Sequence, residues 1–440
     1  MKGTFQFLKI KARIPKLLCF WSLFTLLFVI WLITRFYQLE TNYNFSWDEG
    51  YHSSILYNWQ VNHQFPFYGP QTSYVTFYIS PVYYYLLYPA YVLSSQHFLY
   101  NHLTAFTYTW AIFIGLAAVL RKRPAHRWNF LLLVTLLCFS PIVITQFYKV
   151  IWNPSYVWQP LLVATYALIL IPSSRRKLLL AITSGASCAL SCAFNLSVWP
   201  VALGLTLVAI MILGKKWWWW LSGLIGNALL LYSPSIYKEI AAPGNLRYFP
   251  SPYPTGNFLT RLMTLSYYVV NFTNINLQNL QNKIVTIAFM ATLIAAIVIS
   301  LVKYRRSSNS PLCKNICFQL TVANIVIIII TALPPVALDP MYGLGVTALV
   351  FLLLVNLNSR FKYLLIAGFL VHWAVQFPQS NLYTTPETSF YEYNSCAKFF
   401  CQKPNEVSAK CLVQLEELSE KYTAHAYLLT LNGCQPQANR

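Results

Sequence analysis

The sequence predicts an all-α polytopic membrane protein, a helical bundle of about eleven spans within a range of roughly 10 to 13, from its composition and its apolar runs. Hydrophobic residues make up 57% and charged residues only 10% of the 440 positions. So few polar side chains cannot cover a soluble protein of this size, and the bilayer is the expected solvent. The net charge is +20, but the basic residues cluster between apolar runs, which indicates membrane topology and not nucleic-acid binding.

The apolar runs are the predicted transmembrane helices, because each approaches the length that crosses the hydrocarbon core. They cover residues 17–34, 103–120, 128–144, 156–172, 178–194, 199–213, 217–232, 284–302, 316–333, 342–357 and 362–376. The first run follows a basic arm and has no small-residue cleavage pattern behind it, so it is predicted to be a retained anchor. Residues 1–376 thus form the predicted membrane domain.

The distribution of charge predicts which loops face the cytoplasm. With the N-terminus inside, the basic clusters at 121–127, 175–177, 215–216, 303–314 and 360–362 all fall in cytoplasmic loops, as the positive-inside rule requires. All 11 acidic residues then fall in exterior segments. The main exterior segments are the first loop at 35–102, the long loop at 233–283 and the tail from 377, and the chemistry is expected on that face.

The segment 81–96 decides the sidedness of every later loop. It carries a central Pro89 and the tyrosines Tyr83, Tyr84, Tyr85, Tyr88 and Tyr91. If it crossed the bilayer fully, the later basic clusters would face outward, against the positive-inside rule. We therefore predict an interfacial or re-entrant helix with its tyrosines at the headgroup level. The alternative is an ordinary span whose tyrosines pack inside the bundle.

The tail at 377–440 is predicted to be a small exterior region of its own. It holds most of the acidic residues of the chain and four cysteines, Cys396, Cys401, Cys411 and Cys434. Four cysteines in an oxidising compartment predict two disulfides, for which three pairings exist. Unpaired thiols are the alternative.

The most informative motif follows the first span and reads Ser-Trp-Asp-Glu at 46–49. One interpretation is a capping box in which Ser46 and Glu49 satisfy backbone donors at a helix start. The other makes Asp48 a general base, or a metal or acceptor ligand, in a partly desolvated site. Both hold if Glu49 caps while Asp48 reacts. His52 lies one helical turn after Asp48 and is a candidate to orient it or share its proton, the alternative being a histidine without a role.

With this motif the chain resembles the lipid-linked-sugar glycosyltransferases of the GT-C fold, among them the protein O-mannosyltransferases and the bacterial aminoarabinose transferase. The resemblance rests on an N-terminal span, the exterior Trp-Asp-Glu at 47–49, a Gly-Pro at 69–70 and the Ser-Pro-Val-Tyr-Tyr-Tyr-Leu-Leu stretch at 80–87. It covers roughly residues 15–200. Beyond them, the Asp-Pro-Met-Tyr corner from Asp339 to Tyr342 is similar to a Pro-x-Tyr corner of the aminoarabinose transferase.

The resemblance implies a GT-C-like bundle that carries a hexosyl- or pentosyltransferase activity. The implied donor is a polyprenyl- or dolichyl-phosphate sugar, and the implied acceptor is a glycan, a lipid or a protein. A first-loop aspartate is catalytic in that family, which places Asp48 in this role with Glu49 beside it. The expected location is the bacterial inner membrane, among its lipids, with the site on the periplasmic or extracellular face. A divalent metal ion stays open as a cofactor.

Two departures from the family pattern fall close to the expected site. Asn153 stands where several relatives carry a second acid, and Ser80 stands where the aminoarabinose transferase has a lysine. The contacts to the donor phosphate are therefore expected to be rearranged. Tyr83, Asp339 and Tyr342 are further site candidates, although turn chemistry alone also explains Asp339.

The departing lipid phosphate requires positive charge or hydrogen-bond donors. Exterior cations outside the tail are few, and the candidates are Arg247 and Arg261 in the long loop, followed by Lys149. The alternative for each is an interfacial anchor whose charge reaches the headgroups.

Two other functions compete with glycosyl transfer. A lipid or sugar transporter (a flippase) usually places ionisable groups near the bilayer midplane and often shows two related halves, and the sequence shows neither. A polysaccharide polymerase or ligase of another membrane fold shares the topology class but is not expected to open with a first-loop Asp-Glu.

Overall fold

The computed structural model describes most of the membrane domain and a small part of the tail. The described residues are 2–37, 39, 47–70, 78–94, 99–148, 151, 153–195, 198–242, 269, 280–307, 315–332, 344–357, 361–377, 396–398 and 401–402. Helices dominate these residues, as predicted. In chain order they are α1 Lys2–Phe36, α2 Trp47–Asn62, α3 Val82–Leu93, α4 Leu99–Leu120, α5 Pro124–Phe139, α6 Pro141–Tyr148, α7 Trp158–Leu170, α8 Lys177–Phe194, α9 Trp199–Leu213, α10 Trp218–Ala241, α11 Leu280–Ser307, α12 Ile316–Ala332, α13 Leu344–Asn356 and α14 Phe361–Gln376.

Each predicted span falls on one helix, except the span at 128–144. Among the described residues, six helical stretches are long and apolar enough to cross a membrane: Leu17–Phe36, Leu99–Leu120, Asn153–Ser173, Lys177–Phe194, Trp199–Lys216 and Lys283–Arg305. Three shorter apolar helices lie at His126–Phe139, Ile316–Ile330 and Gly345–Asn356. The chain is therefore an integral membrane protein. Because α10 and α14 belong to neither group, the full count of eleven spans stays a prediction.

The predicted span at 128–144 is wrong as a single helix. It is divided into α5 and α6, and Ser140 between them has an extended backbone, with φ of −62° and ψ of 126°. Pro141 lacks the N–H that would continue the helical hydrogen bonds, and its ring disfavours a helical conformation at the preceding residue. At this break, Arg35 at the end of α1 donates a hydrogen bond to the Cys138 carbonyl oxygen at 2.6 Å.

The tyrosine-rich segment forms α3, a helix of 12 residues. At 1.5 Å per residue it is about 18 Å long, too short for a hydrocarbon core of about 30 Å. This length agrees with the predicted interfacial or re-entrant helix. The predicted role of the tyrosines differs, because Tyr83, Tyr84 and Tyr91 are 0% exposed and pack within the protein. The hydroxyl oxygen of Tyr84 lies 3.1 Å from Nδ1 of the buried His52, so this tyrosine meets a polar group inside the protein.

Contacts between distant segments separate into two sets that match the predicted faces. Exterior segments contact one another in the pairs Tyr68–Glu239, Asn153–Phe194, Asn101–Ile151 and Ser80–Leu231. Cytoplasmic segments do so in the pairs Arg123–Ser173, Asn129–Asn356 and Asn129–Lys362. None of these pairs joins a predicted exterior segment to a predicted cytoplasmic one. The charge-based sidedness and the fold are therefore consistent.

The tightest helix pair among the described residues is α8 with α10. A Cβ atom at Gly185 would collide with the Trp220 carbonyl oxygen, and one at Gly223 would collide with the Ile182 carbonyl oxygen. Small residues permit such close backbone approach inside a membrane. Trp220 also donates from Nε1 to the Ser184 hydroxyl at 3.0 Å across the same interface.

Two of the four tail cysteines are described. Cys396 and Cys401 are each disulfide-bonded, as predicted for an exterior region. Cys411 and Cys434 lie outside the described residues, so the three possible pairings of the tail cysteines all stay open.

Candidate active site

The first exterior helix, α2, turns one face into the protein directly after the predicted motif. Glu49, His52, Ser53 and Leu56 are each at most 2% exposed. These positions follow the spacing i, i+3, i+4 and i+7, which places them on one side of a helix. That side contacts α3 and α4, because His52 bonds to Tyr84 and Ser53 bonds to Tyr100. The carboxyl group of Glu49 and the imidazole of His52 thus share a buried helix face.

Asp48 lies in the first turn of α2, one residue before Glu49 and one turn before His52. A helix that starts at this motif was predicted, and α2 begins at Trp47. The side chain of Asp48 and all of Ser46 lie outside the described residues. The proposed capping box and the catalytic role of Asp48 therefore both stay predictions.

His52 is buried and uncharged. Its Nδ1 lies 3.1 Å from the hydroxyl oxygen of Tyr84, and its ring lies 5.0 Å from the ring of Tyr83 with the planes at 72°. Burial lowers its pKa to about 3, so the imidazole is neutral at physiological pH. Its Nε2 is buried without a hydrogen-bond partner among the described residues. A neutral imidazole has one donor and one acceptor nitrogen, and the Nε2 atom is free to take either role toward a bound group.

Tyr83 lies at the centre of the buried cluster and is 0% exposed. Its ring lies 5.4 Å from that of Tyr84 and 5.7 Å from that of Tyr156. Burial, and then the neighbouring acidic groups including Glu49, raise the pKa of Tyr83 well above its usual value. Its hydroxyl group has no partner among the described residues. Tyr83 thus presents a neutral, unused hydroxyl group beside the imidazole of His52.

Asn153 belongs to the same layer of the protein, at the start of the short helical turn Asn153–Tyr156. Its side-chain amide donates to the Phe194 carbonyl oxygen at 2.7 Å, at the exterior end of α8. At the other end of the turn, the Tyr156 hydroxyl group donates to Asn101 Oδ1 at 2.9 Å. Because Tyr156 contacts Tyr83, this turn forms one wall of the cluster. Asn153 anchors that wall to α8 through a hydrogen bond between two uncharged groups.

Ser80, which stands where the family resemblance suggested a lysine, joins α3 to α10. Its hydroxyl group donates to the Leu231 carbonyl oxygen at 2.6 Å and accepts from the Val82 amide at 3.2 Å. Gly69 packs so closely on Ser80 that a Cβ atom would collide with the Ser80 carbonyl oxygen. Ser80 therefore ties the first exterior loop to the exterior end of α10.

Several predicted site residues cannot be compared with this cluster. Lys149, Arg247, Arg261, Asp339 and Tyr342 lie outside the described residues. The structure brings together Glu49, His52, Tyr83 and the turn of Asn153. Within the described part of the chain, no three His, Cys, Asp or Glu side chains are grouped closely enough to hold a metal ion.

Three residues of the cluster were not predicted as site residues, namely Tyr84, Tyr100 and Asn101. Tyr84 and Tyr100 bond to the buried face of α2, and Asn101 bonds to the wall that contains Tyr156. Tyr84 lies in the quoted tyrosine stretch, whereas Tyr100 and Asn101 precede the predicted start of a span. Tyr100 and Asn101 could have been predicted from the sequence, because they form a polar pair at the start of an apolar helix and such groups need hydrogen-bond partners when they are buried.

Searches against known proteins identify a similar fold. No protein-family model matches the chain, and no curated protein sequence matches it. Two solved structures match, those of ArnT from Cupriavidus metallidurans bound to undecaprenyl phosphate and in the apo state. In each comparison the identity is 13%, the TM-score is 0.52, and the match covers 93% of this chain and 75% of that one. The chain therefore has the GT-C-like helical fold that the motif at 47–49 led us to expect.

Proposed function

We propose that this chain is a membrane glycosyltransferase that moves a sugar from a polyprenyl-phosphate donor to an acceptor on the exterior face. The observation that carries the proposal is the fold, shared over 93% of this chain with ArnT, which has been solved bound to undecaprenyl phosphate. This fold argues against the alternative function, which is a polysaccharide polymerase or ligase of another membrane fold. Asp48 lies at the start of α2, and the next residue, Glu49, faces a buried polar cluster. This position agrees with a reaction at the exterior end of the bundle.

Asp48 is the general base of the proposed reaction. It takes the proton of the acceptor hydroxyl group as that oxygen bonds to the anomeric carbon of the donor sugar. The bond from the anomeric carbon to the phosphate oxygen breaks, and its electron pair leaves with the polyprenyl phosphate. A single displacement of this kind inverts the anomeric centre. The burial of Glu49 and His52 beside Asp48 favours such a role, because exclusion of water strengthens electrostatic interactions.

Glu49 and His52 are positioning residues in this proposal. Both lie on the buried face of α2, where they hold the first turn of the helix against α3 and α4. Tyr83 and Asn153 support the same layer. In this arrangement the neutral imidazole does not compete with the acceptor for the negative charge of Asp48.

Arg247, Arg261 and Lys149 are the proposed ligands of the donor phosphate. The family resemblance expects a lysine where Ser80 stands, and Ser80 uses its hydroxyl group to bind the Leu231 carbonyl oxygen. The charge on the phosphate must then be met from elsewhere on the exterior face. Asp339 and Tyr342 are proposed to line the site at the exterior end of α13.

The decisive experiment compares Asp48→Asn with Glu49→Gln in membranes supplied with lipid-phosphate-linked sugars. Native mass spectrometry of the purified chain with undecaprenyl phosphate measures lipid binding separately. Asp48→Asn should keep lipid binding and lose transfer, whereas Glu49→Gln should lose less. Glu420→Gln, which removes an exterior carboxylate from the tail, is the matched control and should behave as wild type. Full transfer activity in Asp48→Asn would refute the assignment.

The phosphate ligands need a test of their own. Arg247→Ala and Arg261→Ala should raise the KM for the donor, with Lys149→Ala having a smaller effect. Lys283→Ala is the control, because Lys283 is an exposed cation on the same predicted face. If both arginine variants use the donor as the wild type does, the long loop is not the donor site. Activity after chelation of divalent ions decides whether Asp48 instead acts as a metal ligand.

The acceptor is a glycan, a lipid or a protein of the cell envelope, and the proposed location is the bacterial inner membrane with the site on the periplasmic face. The hydrogen bonds between predicted exterior segments are consistent with a cluster at the exterior end of the bundle. Incubation of the purified enzyme with acceptors of each class, followed by mass analysis of the products, separates the three.

A further inference from the structure

An apolar groove opens between α1, α5 and α14, away from the candidate active site. Its volume is about 410 Å³, and Leu23, Leu27, Trp128, Leu131 and Tyr363 are among its lining residues. The hydroxyl group of Thr135, which also lines the groove, donates to the Leu131 carbonyl oxygen at 2.9 Å. That internal bond satisfies the hydroxyl donor of Thr135, and most of the remaining wall is aliphatic or aromatic. The groove is therefore suited to a hydrocarbon chain.

The groove lies toward the cytoplasmic end of the bundle. Its residues on α5 run from Trp128 to Thr135, starting one turn after Pro124, and Tyr363 lies in the first turn of α14. Both helices begin directly after predicted cytoplasmic loops. From Trp128 to Thr135 the groove follows about 10 Å of α5, which is about a third of the hydrocarbon core. Trp128 has the amphipathic ring that is common at membrane interfaces.

Two cations stand at the cytoplasmic end of the groove. Lys362 Nζ lies 5.3 Å from the ring of Tyr363, and it donates to Asn129 Oδ1 at 3.1 Å and to the Val355 carbonyl oxygen at 3.0 Å. An ammonium group has three donors, and the third has no partner among the described residues.

Arg127 is the second cation. Its guanidinium carbon lies 5.4 Å from the ring of Phe20 and 5.6 Å from that of Trp128. Its Nη1 atom donates to the Arg121 carbonyl oxygen at 3.3 Å, and its buried Nε atom has no partner within the described residues. Within the described part of the chain no carboxylate pairs with either cation, and every acidic residue of the sequence lies in a predicted exterior segment.

We propose that this groove binds one anionic phospholipid of the cytoplasmic leaflet, with an acyl chain against Leu23, Leu27 and Leu131 and the phosphate beside Lys362 and Arg127. The charge of the site favours this occupant, because uncompensated cations next to an apolar groove match a phosphate attached to a hydrocarbon chain. The cytoplasmic leaflet is also rich in anionic lipids. The site is independent of the proposed sugar transfer, whose donor is expected at the opposite face.

The test measures lipid retention by the purified full chain in native mass spectrometry, with phosphatidylglycerol titrated against phosphatidylcholine. Wild type should retain one phosphatidylglycerol that phosphatidylcholine does not displace. Lys362→Gln should bind it about fivefold more weakly, the effect of losing one cation near an anionic headgroup. Lys362→Arg should bind as wild type and shows that charge is responsible. Lys216→Gln is the matched control, because Lys216 is an exposed cytoplasmic lysine 4.8 Å from the ring of Trp219.

A second variant tests the groove itself. Leu26 lines the groove and is 53% exposed, so Leu26→Trp can fill the groove without disturbing the core. It should abolish specific retention, whereas Leu32→Trp, on the exterior half of α1, should not. Equal binding of the two phospholipids, or wild-type retention by both Lys362→Gln and Leu26→Trp, would overturn the proposal. So would displacement of phosphatidylglycerol by an equal concentration of undecaprenyl phosphate, which would assign the groove to the donor lipid.

Discussion

The two ends of this bundle handle polar groups in opposite ways. At the exterior end, the side chains of Glu49, His52 and Tyr83 are withdrawn from water and lie within a network of tyrosines. At the predicted cytoplasmic end Arg127 is also buried, but Lys362 is only half-buried and Arg123 bonds to Ser173 at the surface. Exclusion of water strengthens electrostatic interactions at the first end, and solvent screens them at the second. The chain thus withdraws most polar side chains of the candidate site from water and leaves several of those at the opposite end in contact with it.

The largest expected effect concerns the sidedness on which this comparison depends. A cysteine at the exposed position Asn62 should react with a membrane-impermeant maleimide in intact cells, and one at the exposed position Lys122 should react only after permeabilisation. The outcome is close to all-or-none, because the bilayer excludes the charged reagent. Labelling of Lys122→Cys in intact cells would make α3 a full span and invert every later loop.

The next effect is the loss of the proposed general base, Asp48. Asp48→Asn should lower the rate of sugar transfer by about 10²- to 10⁴-fold, the usual contribution of a positioned general base. The measurement is the initial rate at saturating donor. A loss of less than about tenfold would mean that the exterior cluster only supports the fold.

The third effect is a dependence of stability on pH that comes from His52. Its pKa of about 3 in the folded protein lies below the value of about 6.5 expected when the chain is unfolded. The unfolded state then binds more protons between these values, so stability is complete above about pH 6.5 and falls as the pH decreases toward 3. The slope is at most about 1.4 kcal/mol per pH unit. Thermal unfolding in detergent at pH 7.5 and 5 should show this loss in wild type and a smaller one in His52→Phe.

The smallest effect compares two side-chain hydrogen bonds that each join separate elements. A double-mutant cycle with His52→Phe and Tyr84→Phe should give a coupling of about 1 kcal/mol, because the bond is buried. The same cycle with Arg123→Gln and Ser173→Ala should give less than about 0.5 kcal/mol, because that pair is exposed. Unfolding free energies of the four single variants, the two double variants and wild type provide both values. Equal coupling energies would contradict the proposed difference in burial effects between the two ends of the bundle.

Much of the fold could be predicted because membrane helices are encoded locally. Each apolar run is long enough to identify a helix without knowledge of its neighbours, and the basic residues assign the faces. The break between α5 and α6 was missed although Pro141 was visible, since apolar character alone does not distinguish one helix from two. The burial of Tyr83, Tyr84 and Tyr91 was missed for another reason. A tyrosine is suited equally to headgroups and to a protein interior that offers polar partners.

The candidate site was less predictable because it depends on contacts between distant residues. The motif at 47–49 and His52 could be found from the sequence, since they lie on one short helix. The partners Tyr84 and Tyr100 come from two other helices, and Asn153 meets Phe194 across 41 positions of the chain. Hydrophobic periodicity within a short stretch of sequence does not reveal contacts between residues so far apart in the chain. The resemblance to the GT-C fold supplied the overall arrangement and left these individual bonds unspecified.

The close packing of α8 on α10 limits how the exterior site can open and close. Gly185 and Gly223 leave no room for a side chain between the two backbones, and this close packing opposes a movement of one helix against the other. The first exterior loop is tied to this helix pair by the bonds of Ser80 to Leu231, Ser235 to Phe67 and Tyr68 to Glu239. A movement of that loop away from α10 would have to break all three bonds.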